Sequence, residues 1–205
     1  MVSYTQGETD LNDETPGTND LHVLGIAGSL RANSFNLALL RTAQKLVPPG
    51  MAIDIFNIAG LPLYDGDLEE LGDPESVTSW KAAIKAADAI LIVTPEYNYG
   101  IPGVLKNAID WASRPPGKSA LMEKPAAIMG ATPGTGGTAR AQLQLRQTLA
   151  ATRVQVMVQP EIFVATAHEK FDKEGRLTDE TTGKYVSKLL VALAAWTARF
   201  RQSGS

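Results

Sequence analysis

The sequence predicts an α/β fold: a doubly wound, five-stranded parallel sheet with helices on both faces. Two observations carry this expectation. Short β-rich apolar runs alternate five times with helical patterns along residues 21–205, which is the signature of parallel strands joined by crossover helices. The runs Leu21–Ala27 and Ala89–Val93 are almost continuously apolar, as strands covered on both faces must be.

Each element follows from local chemistry. Leu21 to Ala27 is the first strand. A small-residue loop, Gly28 to Ser34, leads into a helix over about 35–47, stopped by Pro48-Pro49-Gly50. Residues 51–58 form the second strand, with polar Asp54 between Ile53 and Ile55. The Gly/Pro/Asp-rich stretch 60–74 is too irregular for an element. Residues 76–87 read as a helix, with Val77, Trp80 and Ile84 at helical spacing. The third strand, Ala89 to Val93, is followed by a helix over 103–113. A fourth strand at 125–130 precedes a helix ending near 150, and 154–158 is the fifth strand. A polar, hairpin-like insertion over 165–176 leads to a last helix over about 179–199. Tyr185, Leu189, Trp196 and Phe200 share one side of it and are expected to face the sheet. Right-handed crossovers leave few topologies, and a flavodoxin-like sheet is the natural one at this size.

Composition excludes several functions. The 205 residues are 44% hydrophobic and 20% charged, which suits one well-buried domain. The absence of cysteine removes disulfides, thiolate metal sites and thiol nucleophiles. His22 and His168 are too far apart in sequence for a His-rich metal site. A net charge of −3 argues against nucleic acid as a partner. Residues 1–20 hold Glu8, Asp10, Asp13, Glu14 and Asp20 and no Lys or Arg, leaving 17 acids against 19 bases in the rest. This segment has no apolar periodicity and reads as a disordered acidic tail before a single domain over 21–205. It lacks the features of a signal or transit peptide, and no later run is long enough to span a bilayer. The expected location is the cytoplasm, with no membrane partner.

Chemistry is concentrated in three loops at strand ends, where open α/β sheets bind ligands. Gly28-Ser29-Leu30-Arg31-Ala32-Asn33-Ser34-Phe35-Asn36 runs into a helix start. Free amides there favour an anion, Ser29 and Ser34 can donate, and Arg31 offers a fork suited to phosphate. The plainer reading is that Ser34 only caps the helix and Arg31 is solvated. The loop matches neither G-x-G-x-x-G nor a P-loop, so a single phosphate is favoured over a pyrophosphate or triphosphate. The second loop, Pro95 to Gly103, combines Tyr97 and Tyr99 with two prolines and two glycines. Stiff backbone beside flat aromatic faces suits a planar heteroaromatic ring, although the tyrosines could equally pack on the core. The third loop, Thr132 to Gly137, is rich enough in Gly and Pro for close backbone approach. Lys106 and Asn107, on the helix after the second loop, read as packing residues, and Trp80, Trp111 and Trp196 as core or subunit contacts.

Gly-Ser-Leu-Arg-x-x-Ser-x-Asn followed by Pro-Glu-Tyr-Asn-Tyr-x-x-Pro-Gly-Val-Leu-Lys-Asn-Ala-Ile-Asp-Trp resembles the NADPH-dependent FMN reductases, whose relatives include quinone, chromate and azo-dye reductases. The resemblance covers about residues 21–200 and includes Arg146-Gln147 and Pro160-Glu161. It implies FMN as cofactor and NADPH or NADH as co-substrate. It assigns Ser29, Arg31, Ser34 and Asn36, with Phe35 among them, to the phosphate and its surroundings. It further places Pro95, Glu96, Tyr97, Asn98 and Tyr99 along the ribityl chain and ring, and Thr132, Pro133 and Gly134 at the flavin edge. It implies no catalytic side chain, since flavin N5 takes the hydride, and ping-pong two-electron transfer to a small-molecule acceptor. Glu96 is a conceivable acid. A homodimer or homotetramer is implied as well. A flavodoxin-type electron carrier is disfavoured by the Arg-bearing loop, and a phosphoacceptor domain by the missing acids at the strand ends. A non-catalytic interaction protein remains open.

Overall fold

The computed structural model describes residues 21–201; the acidic segment 1–20 and residues 202–205 lie outside the described residues. Strand β1 (Leu21–Ala27) pairs in parallel with both β2 (Met51–Phe56) and β3 (Ala89–Val93). β3 pairs with β4 (Pro125–Ala131), which pairs with β5 (Gln155–Val156), giving the order β2-β1-β3-β4-β5. The chain moves outward from β1 in both directions, so a crevice opens where the order reverses, between the ends of β1 and β3.

The helices are α1 (Phe35–Lys45), α2 (Gly66–Glu70), α3 (Glu75–Ala86), α4 (Gly103–Ala112), α5 (Ala139–Ala151) and α6 (Glu180–Arg201). They cover the sheet on both faces, and β3 shows this in its alternation. Ala89, Leu91 and Val93 join the core under α1 and α6, while Ile90 and Ile92 join the core under α3, α4 and α5. All five are 2% exposed or less. Trp80 and Trp111 are buried in the second core, each donating its indole N–H to a backbone carbonyl, those of Ala108 and Pro62. Among the described residues, no helix is long and apolar enough to cross a membrane.

The structure corrects the sequence reading in three places. The stretch 60–74 does hold an element, α2, which Asp65 caps by accepting the N–H of Asp67. The fifth strand is split: β5 pairs only with the start of β4, and β6 (Ile162–Val164) pairs with its end, Met129 to Ala131. Pro160 lies between the halves and has no N–H to offer the β4 ladder. On α6 the buried face is Val186, Leu189, Leu190 and Leu193, and Trp196 meets the sheet by donating its indole N–H to the Gln155 carbonyl of β5, whereas Tyr185 is 51% exposed. The helix is apolar on more than one side, and the sheet covers the Val186–Leu193 stripe.

Candidate active site

All three loops lie at the carboxyl ends of their strands and are tied together there. In the first, Ser34 caps α1 by accepting the N–H groups of Asn36 and Leu37. Ser29 Oγ accepts the N–H of Arg31. The N–H groups of Ser29, Leu30, Ala32, Asn33 and Phe35 take no partner among the described residues. Orphan amides gathered at the start of an eleven-residue helix form an anion cradle. Arg31 is exposed and without an ion pair among the described residues. The ring of Phe35 packs on Phe171 at 5.7 Å, leaving its N–H to the cradle.

Asn36 has a different task from the serines. It is buried, and its amide bridges to a residue 95 positions away: Nδ2 donates to the Ala131 carbonyl and Oδ1 accepts the Ala131 N–H, both at 2.9 Å. β3 pairs with β4 only as far as Met129. Beyond that point the Asn36 side chain does for Ala131 what a strand neighbour does elsewhere, and joins the first loop to the third.

The second loop is a built aromatic wall. Tyr97 and Gly100 exchange two backbone hydrogen bonds of 3.0 Å. Asn98 and Tyr99 between them have φ of 50° and 67°, the geometry of a type I′ turn. A tyrosine in the left-handed region costs about 1–2 kcal/mol, so the surroundings must hold it. Arg140 lies over the Tyr99 ring at 3.7 Å, and Gln144 accepts the Ile101 N–H at 2.7 Å. Tyr97 and Tyr99 are 46% and 71% exposed, so neither packs on the core. The Tyr97 hydroxyl stands 3.3 Å from Ser29 Oγ, joining the second loop to the first. Pro95 is buried behind them.

Glu96 ties the second loop to α5. Thr138, at the N-cap of α5, makes no capping bond. Glu96 instead accepts the N–H groups of Arg140 and Ala141, and also binds the Arg140 guanidinium. It thus caps α5 from another element. Burial opposes its charge, but Arg140 and the two amides outweigh that and hold the carboxyl below the usual glutamate range. A carboxylate held ionised in this way is not a proton donor at neutral pH.

The third loop is pinned to the split strand. Thr132 donates its N–H to Val164, and its Oγ1 accepts the N–H of Gly134, while Pro133 and Gly134 stay exposed. Gly137, at φ +58°, is where a Cβ would come within 2.6 Å of Phe163 Cβ. Asn107 binds Pro62 and Tyr64 and so fixes packing, whereas Lys106 makes an exposed pair with Asp110 one turn on. Arg146 reaches Glu161 at 3.5 Å. The sequence reading missed Arg140 and Gln144. A signal was present for Arg140: a cation in the first turn of a helix that has no acid there opposes the helix dipole and calls for an outside carboxylate.

Comparison with known proteins agrees with this architecture. An NAD(P)H-dependent FMN reductase of Pseudomonas aeruginosa is 50% identical, over 90% of this chain and 99% of the relative. A 2-hydroxy-1,4-benzoquinone reductase of a Burkholderia species is 43% identical, over 86% and 96%. The solved structure of a flavoenzyme NAD(P)H:(acceptor) oxidoreductase from Paracoccus denitrificans superposes with a TM-score of 0.81 at 38% identity, covering 87% of this chain and 98% of that one. The profile described as NADPH-dependent FMN reductase matches residues 21–169, which include all three loops. The chain belongs to the NADPH-dependent FMN reductase family.

Proposed function

We propose that this chain is an FMN-dependent NAD(P)H oxidoreductase that reduces quinones or similar acceptors (chromate, azo dyes, free flavin). The observation that carries the reading is the pairing of an orphan-amide cradle with a rigid, exposed aromatic wall across the β1/β3 crevice. The donor set fits FMN. The cradle suits one phosphate, with Ser29, Arg31, Ser34 and the Phe35 N–H as its donors and Asn36 holding the loop in place. Pro95 to Tyr99 would line the ribityl chain and ring, and Thr132, Pro133 and Gly134 would border the flavin edge. Bound FMN supplies the two-electron redox chemistry, and the side chains supply placement and charge.

Glu96 is a positioning residue here, because its carboxylate is committed to α5. Nicotinamide and acceptor take turns at one open face, which makes the kinetics ping-pong. The working state is a homodimer or homotetramer in the cytoplasm. The test has two parts. Denaturing the purified protein should release FMN and not FAD, and double-reciprocal plots at varied NAD(P)H and quinone should be parallel. Release of FAD, or failure of FMN to saturate the protein, refutes the phosphate assignment. Intersecting lines refute the shared face.

A further inference from the structure

A cavity of about 660 Å³ lies between α1, the hairpin closed by the Phe171–Leu177 bridge, and the first turns of α6. That volume is within the range of small-molecule sites. Its apolar lining comes from Phe35, Ala38, Leu46 and Leu177. The charges around it are unevenly committed. Asp172 accepts the Arg176 guanidinium and the N–H groups of Glu174 and Arg176, and Glu174 also binds Arg176. Asp179 accepts the Thr182 N–H at the start of α6, and Glu180 pairs with Lys184. Arg41 and Lys45, one turn apart on α1, also line the cavity, and neither has an ion-pair partner among the described residues. Asp172 and Glu174 are therefore paired with Arg176, Asp179 is held by a helix amide, and Glu180 lies 3.8 Å from Lys184 at the exposed rim. Arg41 and Lys45 on α1 and Lys173 on the hairpin have no ion pair among the described residues and stand beside an apolar surface.

We propose that this cavity is a ligand site distinct from the flavin crevice, and that it takes a small organic carboxylate with a flat apolar body. The apolar body lies against Phe35 and Leu177, and the carboxylate meets the Arg41 fork with Lys45 beside it. The site shares Ala32 to Phe35 with the phosphate cradle. Occupancy therefore bears on the loop that holds the FMN phosphate, and by linkage each ligand alters the affinity of the other.

The test uses the FMN-loaded protein and 2-naphthoate as the probe, with 2-naphthylmethanol as the uncharged control. Equilibrium dialysis measures affinity, and amide NMR shifts locate the probe. The expected result is saturable 1:1 binding with shifts on α1 and residues 172–180. Arg41→Gln should weaken it about ten- to a hundredfold, the range of one charge-assisted contact. Lys45→Gln should weaken it less, and the alcohol should bind poorly. Both substitutions are at exposed positions, and an unchanged flavin spectrum checks the fold. No saturation at millimolar probe overturns the proposal. So does binding that Arg41→Gln leaves unchanged, or binding seen only in the flavin-free protein. The last outcome would place the probe in the flavin crevice and leave the FMN reading intact.

Discussion

Removing the Asn36 amide should destabilise the protein even with no flavin bound. Asn36 is 3% exposed and Ala131 is 2% exposed, so water does not reach the groups that the substitution strands. Asn36→Ala leaves the Ala131 N–H and C=O without partners. A buried orphan group costs about 1–3 kcal/mol, so the expected loss is about 2–6 kcal/mol. For a domain stabilised by about 5–15 kcal/mol this is a large share. Urea unfolding of the flavin-free protein, followed by circular dichroism, measures it directly. Asn36→Asp separates the two bonds, because it keeps an acceptor for the Ala131 N–H but sets a carboxylate against the Ala131 carbonyl. The folded state then favours the protonated acid, which can donate to that carbonyl, so the folded pKa of the new carboxyl rises above its unfolded value. The stability tied to that proton is present at acid pH and lost as pH rises. The deficit of Asn36→Asp should therefore narrow on acidification. A loss below about 1 kcal/mol for Asn36→Ala, or an unaffected flavin-free protein with only FMN binding impaired, would refute the bridging argument.

Arg31→Ala should weaken FMN about ten- to a hundredfold, because charge-assisted hydrogen bonds contribute roughly 1.5–3 kcal/mol. Riboflavin, lacking the phosphate, should bind both forms alike; equal weakening of both ligands in flavin titrations would show that Arg31 supports the loop instead. Glu96→Gln should lower stability at neutral pH and loosen the Tyr99 turn. The folded pKa of Glu96 is depressed, so its contribution is complete above the ordinary glutamate range and lost as pH falls through the lowered value. Urea midpoints of the two proteins should converge in acid, and a constant gap would count against the charge. Gly137→Ala should cost about 2–5 kcal/mol from left-handed backbone and overpacking together, read as a fall in thermal midpoint. A neutral result would refute both the backbone-strain and the close-contact arguments.

Much of the molecule is legible along the chain, because local rules act there. β1 and β3 fall at Leu21–Ala27 and Ala89–Val93 as their apolar runs indicate. α1 ends near the Pro48-Pro49-Gly50 stop, and the hairpin-like insertion does carry an antiparallel bridge, Phe171 to Leu177. The three loops could be located as well, since a strand end followed by small, polar or aromatic residues is a local feature. Local patterning is weaker where elements are short. The five residues of α2 show no apolar period, and β5 and β6 are two and three residues long on either side of Pro160. What only the tertiary structure decided are the contacts between distant segments. Asn36 reaches Ala131, Glu96 caps α5, and Arg140 lies over Tyr99. The face that α6 buries also depends on which stripe the sheet meets, as Tyr185 shows. Periodicity and turn chemistry constrain each residue through its neighbours in sequence. A side-chain bridge to a strand end, or a cap supplied by another loop, depends on where folding brings the partner backbone, and no local pattern encodes that.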